Sequence, residues 1–312
     1  MKRVFWVVCL AEMALGAAEV PMYDPHRDGA FVELAIRVVD DWGTPVPAAD
    51  LCVSFATGLV ESADRTGCTD EEGCFGASCN TTSSIWIRAQ KDGYYRTRLH
   101  MDAQHVPYET AVRTRKWSDA PVETTVVLKK IRNPVALLAN GGEMHWPATN
   151  TLLGFDLECF DWCPPYGAGK HDDMQLKYVF WRSPTEWDYF YSRLTMTMTN
   201  CVDGLYLAPV DEFSQLKRCY SADSNAIYRQ RFEFVYDRRT GKVVEDIPLP
   251  QLQYMVFRTR TQTNETGDVI SAHYGILLEK GEFGGEILRL RASFNPGPND
   301  TNLECTEERH GW

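Results

Sequence analysis

The chain has 312 residues, of which 44% are hydrophobic and 24% charged, and carries a formal net charge of −11. That length predicts about two domains, with enough apolar material for sizeable cores. The acidic balance argues against nucleic-acid binding, which needs a basic face to displace counterions, and against docking on an anionic membrane surface.

The first residues have the pattern of an export signal. Lys2 and Arg3 precede the apolar run Val4–Leu10, and Leu15-Gly16-Ala17-Ala18 is a small-residue cleavage zone. Residues 1–18 are therefore expected to be a signal peptide, which places the protein in an exported, periplasmic, cell-surface or extracellular setting. No later run reaches the ~18–20 apolar residues of a membrane helix. The ten cysteines agree with an oxidising compartment. Cys52, Cys68, Cys74, Cys79, Cys159, Cys163, Cys201 and Cys219 are disulfide candidates whose connectivity the sequence leaves open. Zinc is the competing explanation, but the chain has no Cys-x-x-Cys knuckle.

Residues 31–130 predict short strands. Leu34, Ile36 and Val38 alternate with Glu33 and Arg37; Leu51, Val53 and Phe55 form a second strand; Ile85, Ile87 and Ala89 a third; Val122, Thr124, Val126 and Leu128 the last. Asp40-Asp41-Trp42-Gly43 is expected to turn the chain, and Thr69–Gly73 to close a hairpin. Strands at this spacing, without a long helical period, predict an antiparallel β-sandwich of prealbumin or Ig type. The order of the pieces is more specific: Val39-Asp40, Gly43-x-Pro45-Val46, Ala48-Ala49, Thr69-Asp70-x-x-Gly73 and Lys91-x-Gly93-Tyr94. Residues 30–130 so resemble the carboxypeptidase-regulatory-like domains, small prealbumin-like sandwiches appended to exported proteins. The resemblance implies a fold and an accessory role, not an activity.

Asn133-Pro134 breaks the last strand, and residues 131–150, with Gly141-Gly142, are expected to be a connection. Residues 131–312 predict a larger, β-rich domain. Strands are expected at Leu152–Leu157, Lys177–Trp181 and Tyr189–Asn200. Arg231–Tyr236 and Tyr254–Thr261 are expected to pair, as are 269–278 and Leu288–Phe294. A short helix is expected over Asp211–Cys219. Several pieces of this half resemble a group of exported bacterial proteins, from Verrucomicrobia and their relatives, with an N-terminal carboxypeptidase-regulatory-like domain. They are Ile131-Arg132-Asn133-Pro134, Gly154-x-Asp156-Leu157, Asp161-Trp162, Pro165-Tyr166-Gly167, Gly169-Lys170, Phe257-Arg258-x-Arg260-Thr261 and Asn295-Pro296-x-Pro298. This resemblance implies a two-domain exported β protein and no activity; Cys159 and Cys163 depart from its pattern.

The densest chemistry lies in residues 154–174, Gly154 to Met174. Gly167-x-Gly169-Lys170 is not a phosphate loop, because the first glycine and the hydroxyl after the lysine are missing. Asp156 and Asp161, or Glu158 and Asp161, are the candidate carboxylate pair for glycoside hydrolysis. His171 and Asp173 are candidate metal ligands, and Cys163 near His171 a candidate thiol nucleophile. There is no Gly-x-Ser-x-Gly elbow. Trp162 and Tyr166, beside Pro164-Pro165, are expected to be exposed and able to stack on sugars, and Asp156, Asp161 and Lys170 complete the candidate ligand site. The aromatic run Phe180, Trp181, Trp187, Tyr189, Phe190 and Tyr191 is better explained by strand faces and core. The reading that fits these observations is an exported, non-catalytic binding or structural protein without a cofactor, its partner a protein or a glycan. The alternative is a glycan-binding protein, or a hydrolase acting on an extracellular polymer.

Overall fold

The computed structural model describes residues 22–58, 61–239, 253–277, 282–284 and 287–305; the expected signal peptide lies outside them. The protein is mainly β, with 18 strands and two short helices among the described residues. No described helix is long and apolar enough to cross a membrane.

In the first half, strands β1 (Ala30–Asp40), β2 (Asp50–Ala56), β3 (Ser62–Cys68), β4 (Cys74–Thr81), β5 (Ser84–Gln90), β6 (Thr97–Asp102) and β7 (Val122–Leu128) form two sheets, ordered β4-β1-β7 and β3-β2-β5-β6. Strict alternation sends Val32, Leu34, Ile36 and Val38 of β1 inward against Leu51, Val53 and Phe55 of β2 and Ile85 and Ile87 of β5, all nearly or fully buried. Trp117, fully buried, donates its indole N–H to the Thr81 carbonyl at 2.6 Å. Two features differ from expectation. The β1–β7 ladder is parallel, Leu34 opposite Val122, because β7 returns to β1 after the chain has crossed from the other sheet. Residues 69–73 connect strands of different sheets, since β3 pairs with β2 and β4 with β1, so they close no hairpin.

The second half also has two sheets. One, ordered β10-β9-β11-β12-β14, contains β9 (Leu152–Asp156), β10 (Asp161–Trp162), β11 (Met174–Arg182), β12 (Phe190–Met198) and β14 (Arg231–Asp237). The other runs β13-β15-β16-β18-β17, from β13 (Gly204–Pro209), β15 (Gln253–Thr263), β16 (Val269–Leu277), β17 (Glu282–Gly284) and β18 (Ile287–Phe294), with β8 (Leu138–His145) also paired to β18. Phe155, Leu176, Tyr178, Leu194, Met196 and Phe232 of the first sheet meet Phe257, Leu290 and Phe294 of the second. The opposite face of the second sheet is also covered, around Tyr254, Val256, Tyr274 and Ile276. Burial on both faces gives β15 its unbroken apolar run Tyr254–Phe257.

Three expectations are corrected here. Residues 138–145 are a strand, not a connection: Gly141 stands opposite Arg291, whose Cγ would lie 2.6 Å from any added Cβ. Strands β14 and β15 do not pair, because β14 takes β12 and β15 takes β13 and β16. No helix forms over 211–219. Instead Ser214 bridges to Thr97, Arg98 N donates to the Phe213 carbonyl and Gln215 N to the Arg96 carbonyl, closing the free edge of β6.

The expected disulfides do not form here: among the described residues the eight candidate cysteines are not bridged. Strand register accounts for the first half. Cys52 stands opposite Thr66 and Arg88, Cys68 opposite Asp50, Cys74 opposite Arg37 and Cys79 opposite Val32, so no cysteine faces another across a ladder.

Candidate functional site

The 154–174 segment is a turn built on buried carboxylates. Asp156 ends β9 with its side chain inside. One oxygen accepts the N–H groups of Glu158 (2.9 Å) and Cys159 (3.2 Å), the other those of Lys170 (2.8 Å) and His171 (2.9 Å). Burial alone would raise its pKa, but these four donors outweigh it and hold the carboxyl at about 2. Asp161 plays the same part on a smaller scale, accepting from Trp162 N and Ala168 N. Gly167 is required beside it, because a Cβ there would lie 2.3 Å from the Trp162 carbonyl and 2.6 Å from the Asp161 carboxylate. Asp156 and Asp161, two of the three candidate catalytic carboxylates, are thus occupied in holding the turn, and the third, Glu158, is ion-paired with Arg260. Pro164–Pro165 is a cis peptide within it.

Arg260 ties this turn to β15. The β15–β16 ladder carries one extra residue between Thr259 and Gln262, and Arg260 adopts φ 54° there. The bulge is held by Asp203, whose carboxylate accepts Arg260 N (2.9 Å) and Thr261 N (3.0 Å). It aims the guanidinium inward, where it meets Asp173 (2.9 Å), Asp156 (3.3 Å) and Glu158. Asp156, Glu158 and His171 bring one ligand atom each within 4.8 Å of one another, as a metal site would need. The arginine already supplies the cation to two of the three. The expected ligand Asp173 lies outside that group, its oxygens accepting from Leu157 N, Thr259 Oγ1 and Arg260.

The remaining candidates of this segment separate. Trp162 is buried at 6% exposure, because the two-residue strand β10 pairs with Phe155 and Asp156 and turns the ring onto Trp146 and Phe155. The expected stacking position is therefore not available at Trp162, while Tyr166 is exposed. Lys170 is exposed and His171 half exposed. Burial, then the nearby carboxylates of Asp172, Asp156 and Asp173, push the Cys163 thiol up to about 11, the wrong direction for a nucleophile. The aromatic run divides: Phe180 and Phe190 pack at the edge of the core, whereas Trp181, Trp187 and Tyr189 are exposed.

A second constellation lies on the outer face of the β3-β2-β5-β6 sheet. Register sets it out in rows: Asp50 with Cys68 and Gln90; Cys52 with Thr66, Arg88 and Arg98; Ser54 with Trp86 and His100. Arg96 continues the stripe of Arg98 and His100 along β6, because outward side chains recur every second residue. Arg88 and Arg98 are directly opposite, a like-charge pairing that costs stability. Among the described residues no carboxylate lies within ion-pair distance of Arg88, Arg96 or Arg98. Their contacts are with other groups. Arg88 donates to Cys52 Sγ at 3.1 Å, the Arg98 guanidinium lies 4.4 Å from the Trp86 ring centre, and Arg96 Nε reaches Gln215 Oε1 at 3.5 Å. His100 packs on Trp86 at 4.1 Å between centroids. These arginines line a concavity of about 580 Å³. Sequence reasoning missed this face. Its one signal is the alternation Arg96-Thr97-Arg98-Leu99-His100, whose meaning emerges only once β6 is paired with β5.

No family model and no curated protein matches this chain. Among solved structures, 3-chlorocatechol 1,2-dioxygenase from Rhodococcus opacus is similar at 14% identity and a TM-score of 0.26, over 35% of this chain and 63% of that one. Catechol 1,2-dioxygenase from Acinetobacter radioresistens is similar at 15% identity and 0.25, over 34% and 54%. A streptococcal ancillary pilin is similar at 13% identity and 0.23, over 90% and 64%. The chain spans less than two thirds of each of these proteins. Likenesses at these scores carry no argument about function.

Proposed function

We propose that the protein is an exported, non-catalytic binding protein of the cell envelope or extracellular space, and that its ligand is an anion held on the outer face of the β3-β2-β5-β6 sheet. The observation that carries this reading is the trio Arg88, Arg96 and Arg98, set on one concavity without a carboxylate partner in a chain of net charge −11. An acidic protein has carboxylates to spare for neutralising surface arginines. A cluster left unneutralised, with two members opposed across a ladder, gives up stability that a bound anion restores. Export is supported by the signal-like residues 1–18 and by the resemblance of residues 30–130 to accessory domains of exported proteins. The non-catalytic part is supported by the occupied state of Asp156 and Asp161.

The test is calorimetric titration of the full chain with matched anionic and neutral oligosaccharides, alongside an Arg88→Ala/Arg98→Ala double variant. Charge-assisted hydrogen bonds are worth about 1.5–3 kcal/mol each, so the double variant is expected to bind at least about tenfold more weakly. Its melting temperature is expected to stay level or rise, since the like-charge pair is gone. Equal binding of neutral ligands, or a double variant that binds as wild type does, would overturn the proposal.

A further inference from the structure

We infer that the ligand is an extended acidic polysaccharide, of the kind that carries one carboxylate per sugar, and that it runs from the arginine face into the junction between the two halves of the chain; this rests on the anion-binding reading above. The concavity lined by Arg88 and Arg98 is not isolated. A second one, of about 550 Å³, shares Asp50, Gln90 and Arg96 with it and continues past the Lys91–Tyr94 turn to Ile131 and Gln215. Two pockets with three residues in common form one elongated groove. Its floor is continuous because the 213–215 segment adds itself to the edge of β6, through Arg98 N to the Phe213 carbonyl and Gln215 N to the Arg96 carbonyl. The groove therefore begins on the first half and ends on a residue of the second. A compact anion would fill one end of it; a chain uses its length.

The chemistry of the lining selects the kind of chain. Arg88, Arg96 and Arg98 offer forked donors that match carboxylates. Between them and the junction stand Asp50, Gln90, Asp92 and Gln215, which accept hydrogen bonds, together with Lys91. Asp50 sits midway along the groove, in both concavities. Its negative charge opposes a ligand of dense, uninterrupted charge such as a nucleic acid or polyphosphate. The same carboxylate is a strong acceptor for hydroxyl groups, which a uronate chain presents between its carboxylates. An acidic peptide supplies the charge but few hydroxyls. Trp86, beside Arg98 and 38% exposed, adds an aromatic edge at the far end of the arginine row.

The experiment is titration of the full chain with galacturonate oligomers of increasing length, with their carboxyl-reduced neutral counterparts, and with poly-glutamate of matched charge. Affinity is expected to rise at least tenfold from the monomer to oligomers that span the groove, and to vanish on carboxyl reduction. Gln215→Ala and Gln90→Ala are expected to weaken the long oligomers severalfold and leave the monomer unaffected, whereas Arg88→Ala weakens both. Circular dichroism and melting of each variant confirm that it is folded. Equal affinity for monomer and long oligomer overturns the extended-chain inference while leaving the anion site standing. Poly-glutamate binding as tightly as the oligouronate overturns it in favour of an acidic peptide. Absence of binding to every anion overturns this inference and the anion-binding proposal together.

Discussion

Asp156 is a buried acid whose two oxygens are already engaged by four backbone N–H groups from both ends of one turn. A carboxylate so occupied cannot also take a proton from a substrate or offer a free lone pair to a metal without dismantling the turn. Its contribution is to stability, and the sign follows from linkage. The folded-state pKa is lowered from 3.8 to about 2, so the stabilisation is complete above the unfolded value and is lost as pH falls toward 2. A depression of that size corresponds to about 2 kcal/mol. Asp156→Asn replaces an acceptor with an amide donor that faces backbone N–H groups. It is expected to lose about 2–3 kcal/mol at neutral pH and to flatten the acid limb between pH 4 and 2. Urea denaturation of both proteins at pH 7 and pH 3 measures this; parallel pH slopes in the two would show that Asp156 is not the titrating anchor.

At the scale of elements, the bulge in β15 does what a regular strand would not: it points Arg260 into the sheet rather than along it. Arg260 then serves as a built-in cation for Asp173, Asp156 and Glu158. Asp173 is nearly fully buried, and its carboxylate has no other positive partner among the described residues. Arg260→Met is therefore expected to cost about 3–5 kcal/mol, the usual penalty for leaving a buried charge unpaired. EDTA is expected to leave the wild-type melting temperature unchanged, because no divalent ion is needed where the guanidinium sits. A fall in melting temperature with EDTA would mean that Asp156, Glu158 and His171 bind a metal after all. Alternation in Phe31–Val39, Leu51–Phe55 and Phe190–Met198 marked true strands, because one buried face imposes a period of two. Partner choice was not legible: β14 and β15 are neighbours in sequence order, yet lie in opposite sheets, since both faces of β15 are covered and β14 has one. Asp156 and Asp161 stood out as chemistry, but the same residue types organise turns, and only their partners distinguish the two uses. The position of Trp162 beside two prolines predicts exposure, but β10 turns the ring inward. The arginine face was invisible because it is a property of register between β5 and β6, not of either strand alone.

The two halves of the molecule are joined by more than a linker. Segment 213–215 pairs with β6, Lys129 forms an ion pair with Asp211 at 2.9 Å and also reaches the Leu216 carbonyl, and Arg132 lies over the rings of Trp42 and Tyr220. Near the end of the described chain, Glu304 is buried at 1% exposure. Its carboxylate accepts Arg132 N and Asn133 N, each at 2.8 Å, and the Tyr95 hydroxyl at 3.0 Å. Burial and then this hydrogen bond raise the Tyr95 pKa, so the phenol stays a donor across the physiological range. One side chain thus binds the connecting residues to the loop that leads into β6. The proposed groove passes Ile131, next to the residues that Glu304 clips, so loosening the clip is expected to alter its shape. Glu304→Ala leaves three donors without their acceptor, each costing about 1–3 kcal/mol if it stays dry. Scanning calorimetry is expected to show one cooperative transition for the wild type and, in the variant, two separated transitions, one for each sandwich core. Glu304→Gln keeps one acceptor oxygen and is expected to fall between them. A single transition in Glu304→Ala, lowered as a whole, would mean that the 213–215 pairing and the Lys129–Asp211 pair hold the halves together without the clip.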